Sequence, residues 1–179
     1  MVGGEGRRDT SRARQAAKMS QPWAGPLART IVFTILVPNT VTVVVPYYLL
    51  PGGDFHLGLA HYLGIPLLVL GAAFYLRCAW DFARVGLGTP APIDPPRHLV
   101  ATGLYRYVRN PMYVGVLSVL FGEVLFFESR GVLVFALFFA LAVHLFVILY
   151  EEPTLRRKFG ASYHEYCRRV LRWIPNLKP

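Results

Sequence analysis

The side chains able to do chemistry in this 179-residue chain gather in two stretches. One begins Arg97-His98-Leu99-Val100 and continues from Gly103 through Tyr105, Arg106, Tyr107, Arg109, Asn110, Pro111, Met112 and Tyr113 to Gly115. The other is Glu151-Glu152-Pro153, directly after an apolar run. Two adjacent carboxylates at the edge of an apolar segment are costly unless they meet water, a cation or hydrogen-bond donors. Arg106 and Arg109 are of the right type to meet them. An ordinary interfacial charge cluster is the plainer reading, and spacing leaves both open. His144 lies seven residues before Glu151, so on a helix it faces the same way about 10 Å deeper in the apolar run. An ionisable residue at such depth is a functional candidate, and a hydrogen bond to a neighbouring helix is its plainer role. Glu123 is another ionisable residue inside an apolar run, close to the run's far end.

Other chemistries lack their residues. The Gly-dense stretch Gly3-Gly4-Glu5-Gly6 follows no strand, so it is not a dinucleotide or phosphate loop. No Ser/His/Asp arrangement has a supporting fold context. Two cysteines, Cys78 and Cys167, cannot build a disulfide framework, and no Cys/His set has zinc spacing, so no metal is expected.

The elements that must position these residues are membrane helices. Apolar residues make up 54% of the chain and charged residues only 16%, and the apolar ones fall in long runs. That excludes a soluble enzyme and a disordered chain and leaves a polytopic membrane protein. Nineteen Lys and Arg against ten Asp and Glu give a net charge of +9, which in a soluble protein would suggest nucleic acid. Here the basic residues flank the apolar runs, where they set orientation instead, and no nucleic-acid partner is expected.

The expected architecture is all-α, with about four transmembrane helices over residues 30–50, 57–80, 112–127 and 131–150 and a C-terminal amphipathic helical tail over 151–179. The third run holds only 16 residues and Glu123, so it is expected to pack in a hairpin with the fourth. Pro38-Asn39 and Pro46 should kink the first. Its basic preface resembles a signal peptide, but the run is too long and no A-x-A site follows, which favours a retained anchor. Residues 1–22 form an expected disordered basic tail, and 23–179 a single membrane domain. Four crossings put 18 of the 19 basic residues on one side and only Arg130 on the other. The positive-inside rule places that side, with both termini, in the cytoplasm.

Between the second and third runs, Pro90, Pro92, Pro95, Pro96 and Pro111 mark a stiff, extended connector. In the tail, Leu155, Phe159, Tyr163, Tyr166, Val170 and Trp173 recur at helical spacing among basic residues, and Gly160 should divide it into two short helices. Such a tail lies in the interface against anionic headgroups, and it can also close a pocket.

Gly103-Leu-Tyr-Arg-Tyr-Val-Arg-Asn-Pro-Met-Tyr-Val-Gly115, then Glu151-Glu152-x-x-Leu155, Phe159-Gly160-x-x-Tyr163-x-x-Tyr166 and Ile174-Pro175, together resemble the integral-membrane methyltransferases. That family includes the isoprenylcysteine carboxyl methyltransferases and the phospholipid N-methyltransferases. The resemblance covers about residues 60–176. It implies S-adenosyl-L-methionine as methyl donor, bound at the cytosolic face, and a lipophilic small-molecule or lipid acceptor entering from the bilayer. It implies a donor pocket of Arg97, His98, Leu99, Val100, Gly103, Tyr105, Asn110, Pro111, Met112, Tyr113, Glu151 and Glu152, with Arg109 and His144 as catalytic candidates. A carboxylate such as Glu151 suits the donor's ammonium or ribose hydroxyls, and Tyr105 and Tyr113 offer ring faces to adenine or the sulfonium.

The resemblance also marks a departure. An Arg one turn before the Glu pair meets the substrate carboxylate in the prenylcysteine branch, and Val147 stands there in this chain. An amine, phenol or neutral hydroxyl acceptor then fits better than a carboxylate, and such an acceptor must shed a proton that a neutral His144 could take. The rival classes are an NADPH-dependent membrane reductase of the sterol-reductase type and a non-catalytic membrane adaptor or small transporter. The Arg-Asn-Pro-Met-Tyr run with Glu-Glu favours methyl transfer over the first, and four runs without a repeat speak against a transporter.

Overall fold

A computed structural model describes residue 32 and residues 36–50, 58–81, 99 and 101–176. The expected tail 1–22, the connector over 82–98 and the site candidates Arg97, His98 and Val100 lie outside the described residues. Among the described residues the regular structure is helical, relieved by one isolated parallel bridge between Val108 and Leu171.

Helix α1 (Leu36–Leu49) is apolar and carries a π turn at Thr40–Val44, just before Pro46. Pro46 offers no backbone N–H to the ladder, and the widened turn is where the expected kink falls. The Thr40 and Thr42 hydroxyls donate to the Leu36 and Pro38 carbonyls, at 2.5 and 2.9 Å. Helix α2 (Leu59–Asp81) follows, then a 3₁₀ turn at Gly103–Arg106, α3 (Pro111–Phe127) and α4 (Arg130–Phe146). Helix α4 runs through a second π turn, Val147–Glu151, into α5 (Glu152–Arg169).

Glycines decide how α2 and α3 meet. A Cβ built on Gly71 would lie 2.7 Å from the Gly115 carbonyl oxygen, and one on Gly64 would lie 2.6 Å from that of Gly122. Both pairs are seven residues apart, two turns of a slightly supercoiled helix, and they run in opposite chain directions. The two backbones therefore touch along an antiparallel seam that no larger residue would permit. The third helix was expected to depend chiefly on the fourth. It does lie beside α4, joined by the Glu128–Ser129 turn, but its tightest partner is α2, because its glycines face that way.

Two helices are long and apolar enough to cross a membrane: Leu59–Asp81 and the continuous Arg130–Arg169, whose apolar part ends at Tyr150. Four were expected. Helix α3 is cut to 17 residues by Pro111 at its first turn and left-handed Glu128 at its end, giving about 26 Å at ~1.5 Å per residue. That falls short of the ~30 Å hydrocarbon thickness. Helix α1 is described over an even shorter range, the rest of the expected 30–50 run being largely outside the described residues. Leu63, Val69, Leu70 and Leu76 on α2, and Val134, Phe138, Leu141 and Leu145 on α4, are exposed. An apolar outer surface of this kind suits lipid contact.

One end of the bundle is tied by Ser129, which caps α4 by accepting from the Val132 N–H and also donates to the Leu49 carbonyl, and by His61 Nδ1 at 3.0 Å from the Phe126 carbonyl. The opposite end gathers Asp81, Gly103, Tyr105, Pro111 and the α4–α5 junction. Tyr75, Cys78, Ala79, Tyr105, Met112 and Val116 form a buried cluster just inside that end. In α5, Gly160 takes φ 52° and ψ −125°, breaking the tail into the two expected helices.

Candidate active site

The polar segment folds as a tight turn followed by a short extended run. Gly103 adopts φ 57°, a left-handed conformation that other residues rarely take, and it starts the 3₁₀ turn that sets Tyr105 into the core. Pro111 then opens α3 at its first turn, where a missing N–H costs nothing. Asn110 precedes it, buried, and its side chain does not cap the helix but donates to the Arg172 carbonyl oxygen at 3.2 Å.

The C-terminal segment is stitched onto this run. The Arg109 N–H donates to the Leu171 carbonyl at 2.9 Å, and the Asn176 N–H donates to the Tyr107 carbonyl at 2.7 Å. The Tyr166 hydroxyl donates to the Tyr105 carbonyl, also at 2.7 Å. The Trp173 indole N–H donates to His144 Nδ1 at 3.1 Å. A neutral imidazole that accepts at Nδ1 carries its proton on Nε2. His144, expected as a proton acceptor, thus has its basic nitrogen occupied by the tail.

The two adjacent carboxylates meet opposite surroundings. Consecutive helical residues point about 100° apart, so Glu151 faces α3 and Glu152 faces the tail. Glu151 accepts from the Tyr113 hydroxyl at 3.0 Å. Burial raises its carboxyl above the ordinary range, the Tyr113 hydrogen bond opposes that, and the charge of Glu152 adds to it. Glu152 is buried among guanidiniums: Arg172 at 2.6 and 3.0 Å, Arg109 at 3.1 Å and Arg156 at 3.6 Å. Burial alone would raise this carboxyl too, but the Arg172 hydrogen bonds and the fields of Arg109, Arg172 and Arg156 outweigh it and hold it below the ordinary range. Arg109 also donates to Cys167 Sγ at 3.0 Å. Burial pushes the Tyr105 phenol well up, aided by the Cys78 thiol and the Glu151 carboxylate, so it stays neutral.

Of the expected site residues, the structure brings Tyr105, Asn110, Pro111, Met112, Tyr113 and Glu151 to one end of the bundle, with Leu99 half-buried nearby in the chain. Glu152 and Arg109 are there as well, committed to each other. Arg106, the other partner considered for the Glu pair, is exposed. Tyr166, Arg172 and Trp173, read in the sequence only as parts of the amphipathic tail, reach this end through the contacts above, and Asp81 is a contributor that the sequence did not single out. For Asp81 the signal was present: a carboxylate ending an apolar run, four residues after Arg77.

A helical bundle with an apolar outer surface and a pair of carboxylates at one end is the build of a membrane-associated protein. The phospholipid methyltransferase family model matches residues 59–162, which takes in α2, the polar segment, α3, α4 and the start of the tail with both glutamates, and the chain belongs to that family. It is therefore a membrane methyltransferase of a kind that acts on lipid. No curated protein and no solved structure matches the chain.

Proposed function

We propose that this protein transfers a methyl group from S-adenosyl-L-methionine to a lipophilic acceptor, with the donor seated among Leu99, Gly103, Tyr105, Asn110, Pro111, Met112, Tyr113 and Glu151. Arg97, His98 and Val100 complete the pocket in this reading. The observation that carries it is the contrast within the glutamate pair. Three arginines neutralise Glu152, whereas Glu151 meets a neutral hydroxyl. A half-buried carboxylate with no arginine on it among the described residues, beside two tyrosines, suits a cationic ligand, and the donor carries both an ammonium and a sulfonium.

The donor supplies an already activated methyl group when bound. The protein's part is alignment: Glu151 and the tyrosine rings fix the donor, and the apolar core behind Tyr105 excludes water from it. Arg109 and Glu152 act in this reading as positioning residues that lock the tail over the site. The acceptor enters from the bilayer. Val147 is 1% exposed and brings no cation to its register, which favours an amine, phenol or neutral hydroxyl over a carboxylate. For such an acceptor His144 becomes the base once Trp173 releases Nδ1. Four crossings with both termini cytoplasmic complete the reading, α1 and α3 crossing with the support of α2 and α4. Residues 23–179 form one domain after a basic tail.

Calorimetry in detergent tests the donor. Wild type should bind S-adenosyl-L-methionine and not NADPH. Glu151→Gln, which keeps the shape and removes the charge, should weaken binding by about 1.5–3 kcal/mol, while exposed Lys158→Ala should not. NADPH binding without donor binding would replace this reading with a reductase.

A further inference from the structure

Asp81 ends α2 at the same end of the bundle as Glu151. Its side chain is 9% exposed. Oδ1 pairs with Arg77 at 3.2 Å, one turn back on the same helix. Oδ2 is buried and has no hydrogen-bond partner among the described residues. Leaving a buried carboxylate oxygen without a donor is costly, so a group that donates to it gains the full value of the missing bond. The surroundings keep that oxygen at the site. A Cβ built on Gly103 would collide with Oδ2, so the glycine that starts the Tyr105 turn lies directly against it. Cys78, one turn before Asp81, packs with Tyr105 and Met112 in the buried cluster behind the site.

We propose that Asp81 is a donor-binding residue, its Oδ2 accepting from the ribose hydroxyls of bound S-adenosyl-L-methionine. The inference rests on the donor reading above and extends it to a residue outside the polar segment. Charge distinguishes the ribose from the donor's cationic end. Arg77 already balances Asp81, so the pair offers an acceptor without net charge, which suits neutral hydroxyls. Glu151 has no such counterion among the described residues and suits the ammonium or sulfonium. A vicinal diol supplies two donors, and a carboxylate oxygen can accept both. Gly103 is then required twice: for its left-handed turn, and because any side chain there would occupy the space against Oδ2.

Calorimetry on the full chain in detergent separates the outcomes, with S-adenosyl-L-methionine, methylthioadenosine and the 2′-deoxy analogue of methylthioadenosine as probes. In wild type, removing the 2′-hydroxyl should weaken binding roughly 10-fold or more. Asp81→Asn keeps the shape; its amide oxygen can serve Arg77 while its NH₂ turns toward the ribose. This variant should weaken S-adenosyl-L-methionine and methylthioadenosine by the same factor and lose the discrimination against the deoxy analogue. Equal wild-type affinity for methylthioadenosine and its deoxy analogue overturns the proposal without any variant. A variant that binds all three probes as wild type does, or that only unfolds at lower temperature with discrimination intact, also overturns it and leaves the donor reading standing. Failure of wild type to bind S-adenosyl-L-methionine removes both.

Discussion

Arg172→Leu isolates what holds the tail to the site. Arg172 makes two of the contacts to Glu152, at 2.6 and 3.0 Å, and its side chain is 30% exposed. Breaking a fully buried ion pair costs about 3–5 kcal/mol, because the remaining charge is stranded. Here Arg109 and Arg156 still face Glu152, and Arg172 is partly solvated, which brings the expected loss to about 2 kcal/mol. That corresponds to roughly a 30-fold larger open population of the tail. Hydrogen exchange reads it directly, because two amides depend on the docked strand: Arg109 N–H on the Leu171 carbonyl, and Asn176 N–H on the Tyr107 carbonyl. Both should exchange faster by that order, while amides in the middle of α2 and α3 keep their protection. The Arg172 carbonyl that accepts from Asn110 survives the substitution, so the effect isolates the guanidinium. Unchanged protection at Arg109 and Asn176 would show that Glu152 does not anchor the tail.

Three further outcomes follow from the same geometry. Gly71→Ala places a methyl 2.7 Å from the Gly115 carbonyl and 2.8 Å from the Val119 nitrogen, so it should destabilise the helix pair by about 1–3 kcal/mol; an unaltered thermal midpoint in detergent would contradict the seam. Trp173→Phe and His144→Phe each remove the Nε1–Nδ1 bond, so their effects on tail protection, about 0.5–1.5 kcal/mol each, should fail to add in the double variant; full additivity would deny the contact. Acidification should act in two steps. Glu151 has a raised carboxyl and Glu152 a lowered one, so donor affinity should fall first, as pH drops through the raised value. The tail contribution of Glu152 is complete above the ordinary carboxylate value of about 4.3 and is lost only as pH falls below it. Tail release measured by proteolysis ahead of the loss of donor binding would reverse the assignment.

The sequence carried the site's position further than its internal wiring. Helix periods, the left-handed break at Gly160 and the two polar stretches were legible because local chemistry determines each of them. The convergence of Tyr113 and Glu151 across 38 residues was legible through the family resemblance, since nothing in the spacing measures a distance between two helices. Three features were hidden. The Gly64/Gly71 and Gly115/Gly122 seam needs both helices to be seen at once, because a lone glycine on either reads as a neutral gap. The division of labour in Glu151-Glu152 depends on a tail docking from 20 residues away. The crossing lengths were overread for a physical reason: hydropathy counts apolar residues, whereas Pro111 and left-handed Glu128 set where α3 starts and stops.

The placement of two carboxylates side by side then has a mechanical explanation. A single carboxylate could not both lock the tail and keep a charge for a ligand, because each guanidinium that locks it also neutralises it. Splitting the tasks over consecutive residues uses the 100° turn between them, so one helix end serves two partners without a second segment. The π turn at Val147–Glu151 lies immediately before that division and shifts the register there. Glu152 has to be ionised for the tail to dock, since three arginines converging on it without its charge would repel one another. Glu151 has no such requirement from the protein itself: its neutral partner Tyr113 tolerates either protonation state. Of the two glutamates, the one that the described residues leave without a counterion is thus the one facing α3, and in the proposed reading a cation arriving there makes its ionisation favourable.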